Sequence, residues 1–333
     1  MIETSINTDT PLISVVMPIK NEESHLQESI ACILNQTVKN IEFLIIADDI
    51  NDRVVEIING FNDPRIRLIQ NPKRSGIAAA LNQGFKESRG HFIARMDSDD
   101  LCTSNRFKKQ LDFMNAHPDV GICGTFQIIF GGYCDGFNRT AVTHDEIKVG
   151  LLFGPTMLHP TVFFRAEIIH KYKLYYDESA YMCEDYEIWA RAAKLTRLHT
   201  IPENLNLYRW ESKKKWELDI PSLIQSLNSI WERELKDLGM TPTKTDLEIH
   251  KQITGRGQVE GYRVLLKYHK HLKKIVKLNK KSRIYDSDLL DHKISIIWKD
   301  LVFRQVSNKP LGLVLKLLRI ILPQTVCQVL SRI

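Results

Sequence analysis

The first 116 residues alternate between short apolar runs and segments with helical spacing, and this alternation restricts the fold more than any other feature. β-Branched, apolar runs are followed by stretches in which apolar residues recur every three or four positions. Repeated strand and helix units of this size predict a parallel sheet with helices on both faces. We predict strands at 12–17, 41–47, 66–69 and 91–96, and helices at 24–34, 52–60, 76–87 and 104–116.

The regular alternation ends near residue 120. Glycine-rich segments follow, which favour antiparallel strands, then a strand at 159–165 and a helix near 184–195. Because these elements complete the same sheet, we predict one α/β domain over residues 1–212. The chain turns helical from about residue 215, which predicts a helical, basic region over residues 213–333.

Composition places the chain among soluble globular proteins. Of its 333 residues, 43% are hydrophobic and 26% are charged, which excludes disordered and fibrous classes. No apolar run reaches the roughly 18 residues that a membrane-spanning helix needs. The six cysteines show no CxxC pair or zinc spacing, and no leader sequence precedes the first strand. We therefore expect a cytoplasmic protein with free thiols.

Polar and acidic residues follow all four predicted parallel strands. They occupy positions 18–23, 48–52, 71–76 and 97–100. Ligands of doubly wound sheets bind at the carboxyl ends of the strands, where the strand order reverses. The four strand ends therefore predict one ligand site.

The acidic segment Asp97-Ser98-Asp99-Asp100 predicts a site for a divalent cation. No GxGxxG follows the first strand and no GxxxxGK[ST] occurs, so phosphate charge would have to be met by a metal with oxygen ligands. Asp97 and Asp99 can supply such ligands to Mg²⁺ or Mn²⁺ beside a leaving diphosphate. The same segment is also typical of helix capping, in which Asp100, Thr103 and Ser104 would begin the next helix.

A second acidic cluster, Glu184-Asp185, begins the helix near 184–195. A transferase needs a carboxylate that removes a proton from an acceptor hydroxyl, across the cleft from the leaving group. Asp185 is the candidate base and Glu184 its support. The helix macrodipole offers a second explanation, since it favours carboxylates in any first helical turn.

Several segments occur in an order that resembles one family. They include "PLISVVMPIKNEE", "GIAAALNQGFKESRGHFIARMDSDD", "HPTVFFR" and "EDYEIWAR", and the match covers roughly residues 11 to 210. The chain resembles family 2 glycosyltransferases, inverting sugar-nucleotide enzymes with the GT-A fold, of the type that builds bacterial surface polysaccharide or lipooligosaccharide. The resemblance implies a hexosyltransferase whose donor is a UDP-hexose or UDP-N-acetylhexosamine.

The resemblance also implies a role for each acidic residue. Asp49 would hold the nucleobase, with backbone near Pro18 assisting. Asp99 would bind Mn²⁺ or Mg²⁺, and Asp97 would contact the ribose or a metal-bound water. Asp185 would be the catalytic base.

Three departures from the family pattern affect the same site. Lys20 stands where an aromatic residue is common, and Ile50 and Asn51 replace a glycine and a serine. Trp210–Glu211 occupies the place of a histidine that often follows the Tyr-Arg pair. Either Lys213–Lys215 takes over contact with the diphosphate or the site is weaker.

The positive charge is concentrated near the carboxyl terminus. Residues 261–283 contain nine Lys/Arg and no Asp/Glu, and residues 311–333 are apolar but broken by charges and a proline. One helical face of the basic stretch carries Leu265, Leu272, Ile275 and Val276. This pattern is typical of a helix on the anionic cytoplasmic face of the inner membrane, near a glycan or lipid-linked acceptor. A solvated helix that packs on the catalytic domain is the alternative.

Two other functions fit parts of the pattern. A sugar nucleotidyltransferase also uses carboxylate-bound metal, but it needs a glycine-rich loop after the first strand, which "PIKNEE" lacks. A non-catalytic sugar-nucleotide or glycan-binding module has no use for a base such as Asp185. We interpret His159 as a structural residue, and no nucleic-acid-binding motif accompanies the basic stretch.

Overall fold

The computed structural model describes residues 10–20, 23–71, 75–132, 135–210, 219–255 and 262–306. Contacts within the chain group it into two compact units, Met1–Ile230 and Trp231–Ile333, which are described separately. The domain boundary that the sequence predicts near residue 212 lies outside the described residues, as do Lys213–Lys215 and residues 311–333.

The first part of unit 1 is the predicted parallel sheet. Helices connect successive strands, and both strands and helices lie within a few residues of their predicted bounds. The elements are β1 (Ile13–Ile19), α1 (Leu26–Leu34), β2 (Ile41–Asp48), α2 (Asp52–Asn59), β3 (Ile66–Asn71), α3 (Ile77–Glu87) and β4 (Phe92–Arg95).

The second part of unit 1 completes the sheet with three short strands of two or three residues and two long strands of 11 and 13 residues. Its elements are β5 (Leu101–Cys102), α4 (Arg106–Ala116), β6 (Val120–Phe130), β7 (Gly136–Asn138), α5 (His144–Leu151), β8 (Phe163–Arg165), α6 (Ala166–Tyr172), α7 (Glu184–Ala192) and β9 (Arg197–Arg209). A short 3-10 helix, His159–Thr161, precedes β8.

The described strands form one sheet in the order β3, β2, β1, β4, β8, β6, β9, β5, with β7 paired to β6. β1 pairs in parallel with both β2 and β4, so the chain adds strands on one side of β1 and then on the other. This reversal creates a crevice beside the carboxyl ends of β1 and β4. The predicted α/β fold class and mostly parallel sheet are confirmed in this half.

The prediction of antiparallel pairing beyond residue 120 is correct for some strands and wrong for others. β6 pairs antiparallel with β7 and β8, but it runs parallel to β9 over most of its length, with register shifts. Glycine content therefore did not indicate pairing direction, because direction depends on the helices that lie between β6 and β9 in the chain.

β1 and β2 are buried on both faces, which explains their continuous apolar composition. α3 packs closely on β1 because Gly84 has no side chain. A Cβ atom at Gly84 would lie 2.3 Å from Cγ1 of Val16. A larger residue would push α3 away from the strand that ends at the crevice.

Helices account for the described part of unit 2, as predicted. α8 (Ile220–Asp237) spans the division between the units, and α9 (Lys244–Thr254), α10 (Tyr262–Ser282) and α11 (Ser287–Val306) follow. Among the described residues, none of the helices is both long and apolar enough to span a membrane.

The apolar face of α10 is buried within the protein. Leu265, Leu272 and Ile275 are 0–2% exposed, and α10 packs on α9 and α11. The nine basic residues of the stretch 261–283 are all exposed. The apolar face that the sequence analysis assigned to a membrane is therefore occupied by protein, whereas the charged face is open to solvent.

Candidate active site

The segment that follows β4, residues 97–100, is here named the acidic turn. Its first carboxylate is held by the strand that leads into it, because both oxygens of Asp97 contact the Arg95 guanidinium at 2.6 and 2.8 Å. The Arg95 side chain is 3% exposed and that of Asp97 is 24% exposed. A bidentate pair of this kind fixes the orientation of a carboxylate at the mouth of the crevice.

The last carboxylate of the acidic turn has a structural role. Asp100 is buried and accepts hydrogen bonds from the Asn206 side chain at 3.1 Å and the Arg209 backbone N–H at 2.9 Å. Burial, reinforced by the nearby charge of Asp97, raises the pKa of Asp100 to about 8. The capping interpretation is wrong, because α4 begins at Arg106 and Asn105 precedes it without a side-chain cap.

Asp99 is half-buried at the centre of the acidic turn, where Arg209 fixes the backbone. Nε of Arg209 donates to the Asp99 carbonyl at 2.9 Å, and its Nη2 contacts Glu28 at 2.7 Å. Its guanidinium also lies 4.7 Å from the centre of the Phe130 ring. Arg209 therefore joins β9 and α1 to the segment that carries the candidate metal ligand.

The two aspartates at the end of β2 are placed very differently. Asp48 is 5% exposed and accepts hydrogen bonds from the backbone N–H groups of Ser75 and Gly76, so it fixes the start of α3. Asp49 is exposed and has a φ of 58°, in the left-handed region. Pro18 lies on the neighbouring strand β1, opposite Ile46 of β2. The structure thus places Asp49 and Pro18 at adjoining strand ends of the crevice.

Asn51, the departure that follows Asp49, serves as the N-cap of α2. Its side chain accepts from the Val54 backbone N–H at 3.0 Å and donates to Glu23 at 2.6 Å. An asparagine is as good an N-cap as the serine that the family pattern has here. This departure therefore preserves the local structure.

Glu184 and Asp185 begin α7, as predicted, and both are half-buried. The pKa of each carboxyl group is raised, because the effect of burial is larger than the opposing effect of the positive charge of Arg95. The charge of Asp97 also raises the pKa of Glu184. The two acidic clusters, which are almost 90 positions apart in the chain, therefore influence one another, and the charge of Arg95 acts on Glu184 and Asp185 as well as on Asp97.

The macrodipole explanation does not account for these pKa shifts. A helix N-terminus favours the charged carboxylate and so lowers its pKa. In Glu184 and Asp185 burial is the largest influence and has the opposite effect. A carboxylate with a raised pKa is a stronger base than an exposed one.

His159, which the sequence analysis interprets as a structural residue, is half-buried. Its Nε2 lies 3.0 Å from the Tyr176 hydroxyl. Burial lowers the pKa of His159 well below its ordinary value, and the charge of Arg95 acts in the same direction. A neutral imidazole beside Arg95 adds no further positive charge to the site.

A metal ion would need ligands besides those of the protein. Among the residues that the structure describes, no group of three or more His, Cys, Asp and Glu side chains is arranged to hold a metal ion. Asp97 and Asp99 are the half-buried carboxylates of the acidic turn, whereas Asp100 is buried. Mg²⁺ sites commonly combine one or two carboxylates with substrate phosphates and water.

Sequence reasoning missed Arg95, Asp48 and Arg209. A charged residue at the end of an apolar run, as in "FIAR", indicates that a strand is ending. It does not indicate which carboxylate will form an ion pair with that residue. The contacts of Arg209 span 110 positions to Asp99 and 181 positions to Glu28, beyond any local pattern. The pair Asp48-Asp49 gave no sign of which carboxylate turns inward.

Comparison with known proteins identifies the family. The model described as Glycosyl transferase family 2 matches residues 14–168. An uncharacterized glycosyltransferase of Methanocaldococcus jannaschii is 33% identical over 209 residues, which are 60% of this chain and 71% of the relative. The Escherichia coli enzyme named UDP-Glc:alpha-D-GlcNAc-diphosphoundecaprenol beta-1,3-glucosyltransferase is 36% identical over 202 residues, 58% of this chain and 74% of the relative. The chain belongs to glycosyltransferase family 2.

The fold of this family 2 glycosyltransferase has counterparts among solved structures. The crystal structure of S. aureus TarS in complex with UDP-GlcNAc has a TM-score of 0.60 at 14% identity, covering 88% of this chain and 89% of that one. The likeness supports the GT-A fold. Family membership makes the chain an enzyme and decides against the nucleotidyltransferase and the binding module.

Proposed function

We propose that this family 2 glycosyltransferase is a metal-dependent, inverting enzyme that transfers a hexose or N-acetylhexosamine from a UDP-sugar to a hydroxyl of a lipid-linked glycan. The observation that supports this most is the Arg95–Asp97 ion pair, because the charge of Arg95 also acts on Glu184 and Asp185. One cluster lies at the strand end where diphosphates bind in such sheets, and the other supplies a candidate base.

The donor nucleotide binds along the crevice in this proposal. Asp49 accepts a hydrogen bond from the nucleobase, since its exposed carboxylate lies at the end of β2 while Asp48 is engaged with α3. Backbone near Pro18 contacts the same base. Asp97, whose orientation Arg95 fixes, contacts the ribose or a metal-bound water.

Asp99 and Asp97 hold the divalent cation together with the donor diphosphate. Two carboxylates and several phosphate oxygens match what Mg²⁺ and Mn²⁺ require, and no third protein ligand is needed. When bound, the cation neutralises the negative charge that develops on the leaving diphosphate.

Asp185 acts as the base in a single displacement, with Glu184 supporting it. Its carboxylate takes the proton from the acceptor hydroxyl while the acceptor oxygen forms a bond to the anomeric carbon. The bond from that carbon to the diphosphate breaks on the opposite face, so the configuration inverts and the nucleoside diphosphate leaves. The raised pKa of Asp185 favours this proton transfer.

The proposed donor and acceptor rest on relatives and charge. The E. coli relative is named for a UDP-glucose donor and a diphosphoundecaprenol-linked acceptor. The exposed basic face of α10 supports peripheral contact with the anionic cytoplasmic face of a membrane that carries such an acceptor. In this proposal the contact is electrostatic, because the apolar face of α10 is buried.

Thermal unfolding with a panel of nucleoside diphosphates, each with and without Mn²⁺, tests the proposed donor site. Ligand binding to the folded state raises the melting temperature by mass action. We expect UDP to raise it only with Mn²⁺, and Asp99→Asn to abolish the metal-dependent part of the increase.

Asp112→Asn is the matched control for this experiment. Asp112 is exposed on α4, pairs with Lys108 and lies away from the strand ends. This variant should keep the full Mn²⁺-dependent response. The absence of a metal-dependent response to every nucleotide in the unmodified protein would contradict the proposed metal site.

A further inference from the structure

Two thiols that the proposed reaction does not use face each other beneath the acidic turn. Sγ of Cys32 on α1 and Sγ of Cys102 on β5 are 3.5 Å apart. Cys102 is buried, whereas Cys32 is partly exposed. At this separation no disulfide bond joins them.

Hydrogen bonds hold the two sulfur atoms in this arrangement. The Cys102 backbone N–H donates to Sγ of Cys32 at 3.1 Å, and the Cys32 thiol donates to the Cys102 carbonyl at 3.1 Å. The buried Gln36 amide donates to Sγ of Cys102 at 3.3 Å and to the Thr103 carbonyl at 2.8 Å. Both sulfurs are therefore oriented toward each other by neighbouring groups.

We propose that Cys32 and Cys102 are a peroxide-sensitive dithiol site that forms an intramolecular disulfide and fixes α1 against the acidic turn. Cys32 is the residue that reacts first, because it is the partly exposed member of the pair. Cys102 is the resolving residue, since it is buried beside Cys32. The sulfur atoms must approach by about 1.5 Å to reach the disulfide bond length.

The pKa shifts of the two thiols agree with Cys32 as the residue that reacts first and Cys102 as the resolving residue. The hydrogen bond with the Cys102 side chain is the largest influence on Cys32 and lowers the pKa of its thiol to about 7. The same interaction and burial raise the pKa of Cys102 well above its ordinary value. A thiolate is the form that reacts with peroxide.

The chemistry proceeds in two balanced steps. The Cys32 thiolate attacks one oxygen of hydrogen peroxide, the O–O bond breaks, and hydroxide leaves to give a sulfenic acid. The hydroxide takes up the proton that the Cys32 thiol released on ionising, which gives the first water. Sγ of Cys102 then attacks Sγ of Cys32, the S–O bond breaks, and the Cys102 proton leaves with the oxygen as water. Two thiols are oxidised by two electrons, and one peroxide is reduced to two waters.

The linked elements support the acidic turn. Ser29 on α1 donates its hydroxyl hydrogen to the Asp100 carbonyl at 2.7 Å, and β5 begins directly after Asp100. A covalent bond between α1 and β5 therefore restrains the turn from two sides. The backbone amides of residues 97–102 should exchange with solvent more slowly after oxidation.

Peptide mapping of the full chain tests the proposed site directly. Trypsin releases Cys32 within residues 21–39 and Cys102 within residues 96–106. After treatment with one equivalent of hydrogen peroxide, we expect these two peptides to be joined with the loss of two hydrogens, and to separate on reduction. Cys134→Ser and Cys327→Ser provide the background that prevents mispairing.

Buried thiols of the same unit are the matched controls. Burial raises the pKa of both Cys123 and Cys183 to about 12, so both should remain reduced under the same treatment. Hydrogen exchange of residues 96–106 should slow on oxidation of the unmodified pair and stay unchanged in Cys32→Ser. Oxidation of Cys32 to sulfinic acid without a linked peptide, or equal oxidation of Cys123, would overturn the proposal.

Discussion

Asp48 and Asp49 are neighbours in the chain and differ in almost every physical property. Asp48 is buried and bonded to the backbone before α3, whereas Asp49 is exposed with φ in the left-handed region. Asp99 and Asp100 show the same division, because Asp100 holds β9 and Asp99 lies at the centre of the acidic turn. In each pair the inner carboxylate is bonded to another segment of the fold, and the outer one is more exposed.

Removing the proposed base should lower turnover without weakening donor binding. For Asp185→Asn we expect kcat to fall by about 10²- to 10⁴-fold, because an amide cannot accept the acceptor proton. Asp145→Asn is the control, since Asp145 also lies in the first turn of a helix, α5, but is exposed. Glycosyl transfer assays and nucleotide-induced melting shifts distinguish the two effects. Near-normal turnover in Asp185→Asn would rule out this base.

The pH dependence of activity should reflect burial of the same residue. The base is active only when deprotonated, and burial raises the pKa of Asp185. The rising limb of kcat/KM should therefore lie above the pH range of an exposed aspartate, whose pKa is about 3.9. A pH–rate profile measures this directly. A rising limb near pH 4 would show that Asp185 is not the titrating group.

At the scale of whole elements, Glu42 of β2 joins the neighbouring strands β1 and β3 and the segment between α3 and β4. It accepts from the Ser14 hydroxyl of β1 at 2.6 Å, from Arg67 of β3 at 2.7 Å, and from the Arg89 backbone N–H at 2.7 Å. Burial alone raises the pKa of Glu42, but the hydrogen bonds from Ser14, Arg89 and Arg67 together outweigh it and lower the pKa.

Glu42→Gln should destabilise the fold most at neutral pH. A folded-state pKa below the unfolded value means that the carboxylate stabilises the fold above pH about 4.3, and that this contribution is lost as pH falls through the folded pKa. We expect a loss of about 3 kcal/mol at pH 7 and a smaller loss at acid pH. Urea unfolding at several pH values measures it. Glu56→Gln, which alters an exposed ion pair with Arg53, should change stability by less than about 1 kcal/mol.

Arg209 supports the acidic turn from the end of β9. Replacing it with methionine removes the hydrogen bond to the Asp99 carbonyl and the contact with Glu28. We expect Mn²⁺-dependent UDP binding to weaken by about 10-fold or more, as for other groups that orient metal ligands. Arg197→Met, at the other end of β9, alters an exposed pair with Asp119 and should leave binding unchanged. Titration calorimetry compares the two variants, and equal affinities would contradict the supporting role.

The local sequence pattern was sufficient to predict the parallel half of the sheet, but it was not sufficient to predict how the remaining strands pair. β1, β2 and α1 were predictable because burial on both strand faces and one helix face imposes distinct apolar periods. The position of β9 beside β6 and β5 depends on pairings more than 70 residues apart. Glu184 and Asp185 were predicted from the need for a base opposite the leaving group, but Arg95, whose charge acts on both, has no distinguishing local signal.

At the scale of the whole molecule, the basic and apolar residues of α10 have different surroundings. The basic residues of α10 face solvent, while its apolar residues pack within unit 2. An amphipathic pattern alone does not distinguish a membrane from a neighbouring helix as the partner of the apolar face. That ambiguity explains why the sequence predicted an interfacial helix where the structure has a packed one.

Removing exposed charge from α10 should weaken membrane contact. Each lysine near an anionic surface contributes about 1 kcal/mol, so replacing Lys273, Lys277 and Lys280 with glutamine should reduce vesicle affinity by roughly 100-fold. Replacing the exposed Lys108, Lys171 and Lys194 of unit 1 is the control. Co-sedimentation with phosphatidylglycerol vesicles at two salt concentrations measures it. Equal affinities for both variants would remove α10 from the proposed membrane contact.

The hydrogen bonds that join β9 to the acidic turn have a consequence for synthesis on the ribosome. Asp100 meets Asn206 and Arg209, which lie 106 and 109 positions later in the chain. The parallel strands β1 to β4 can assemble while the chain is still being translated, but the turn after β4 lacks these partners until Arg209 has emerged. A nascent chain that stops short of β9 would therefore keep the Arg95–Asp97 pair but lack the contacts that order Asp99 and Asp100, and we expect the proposed donor site to form late in translation.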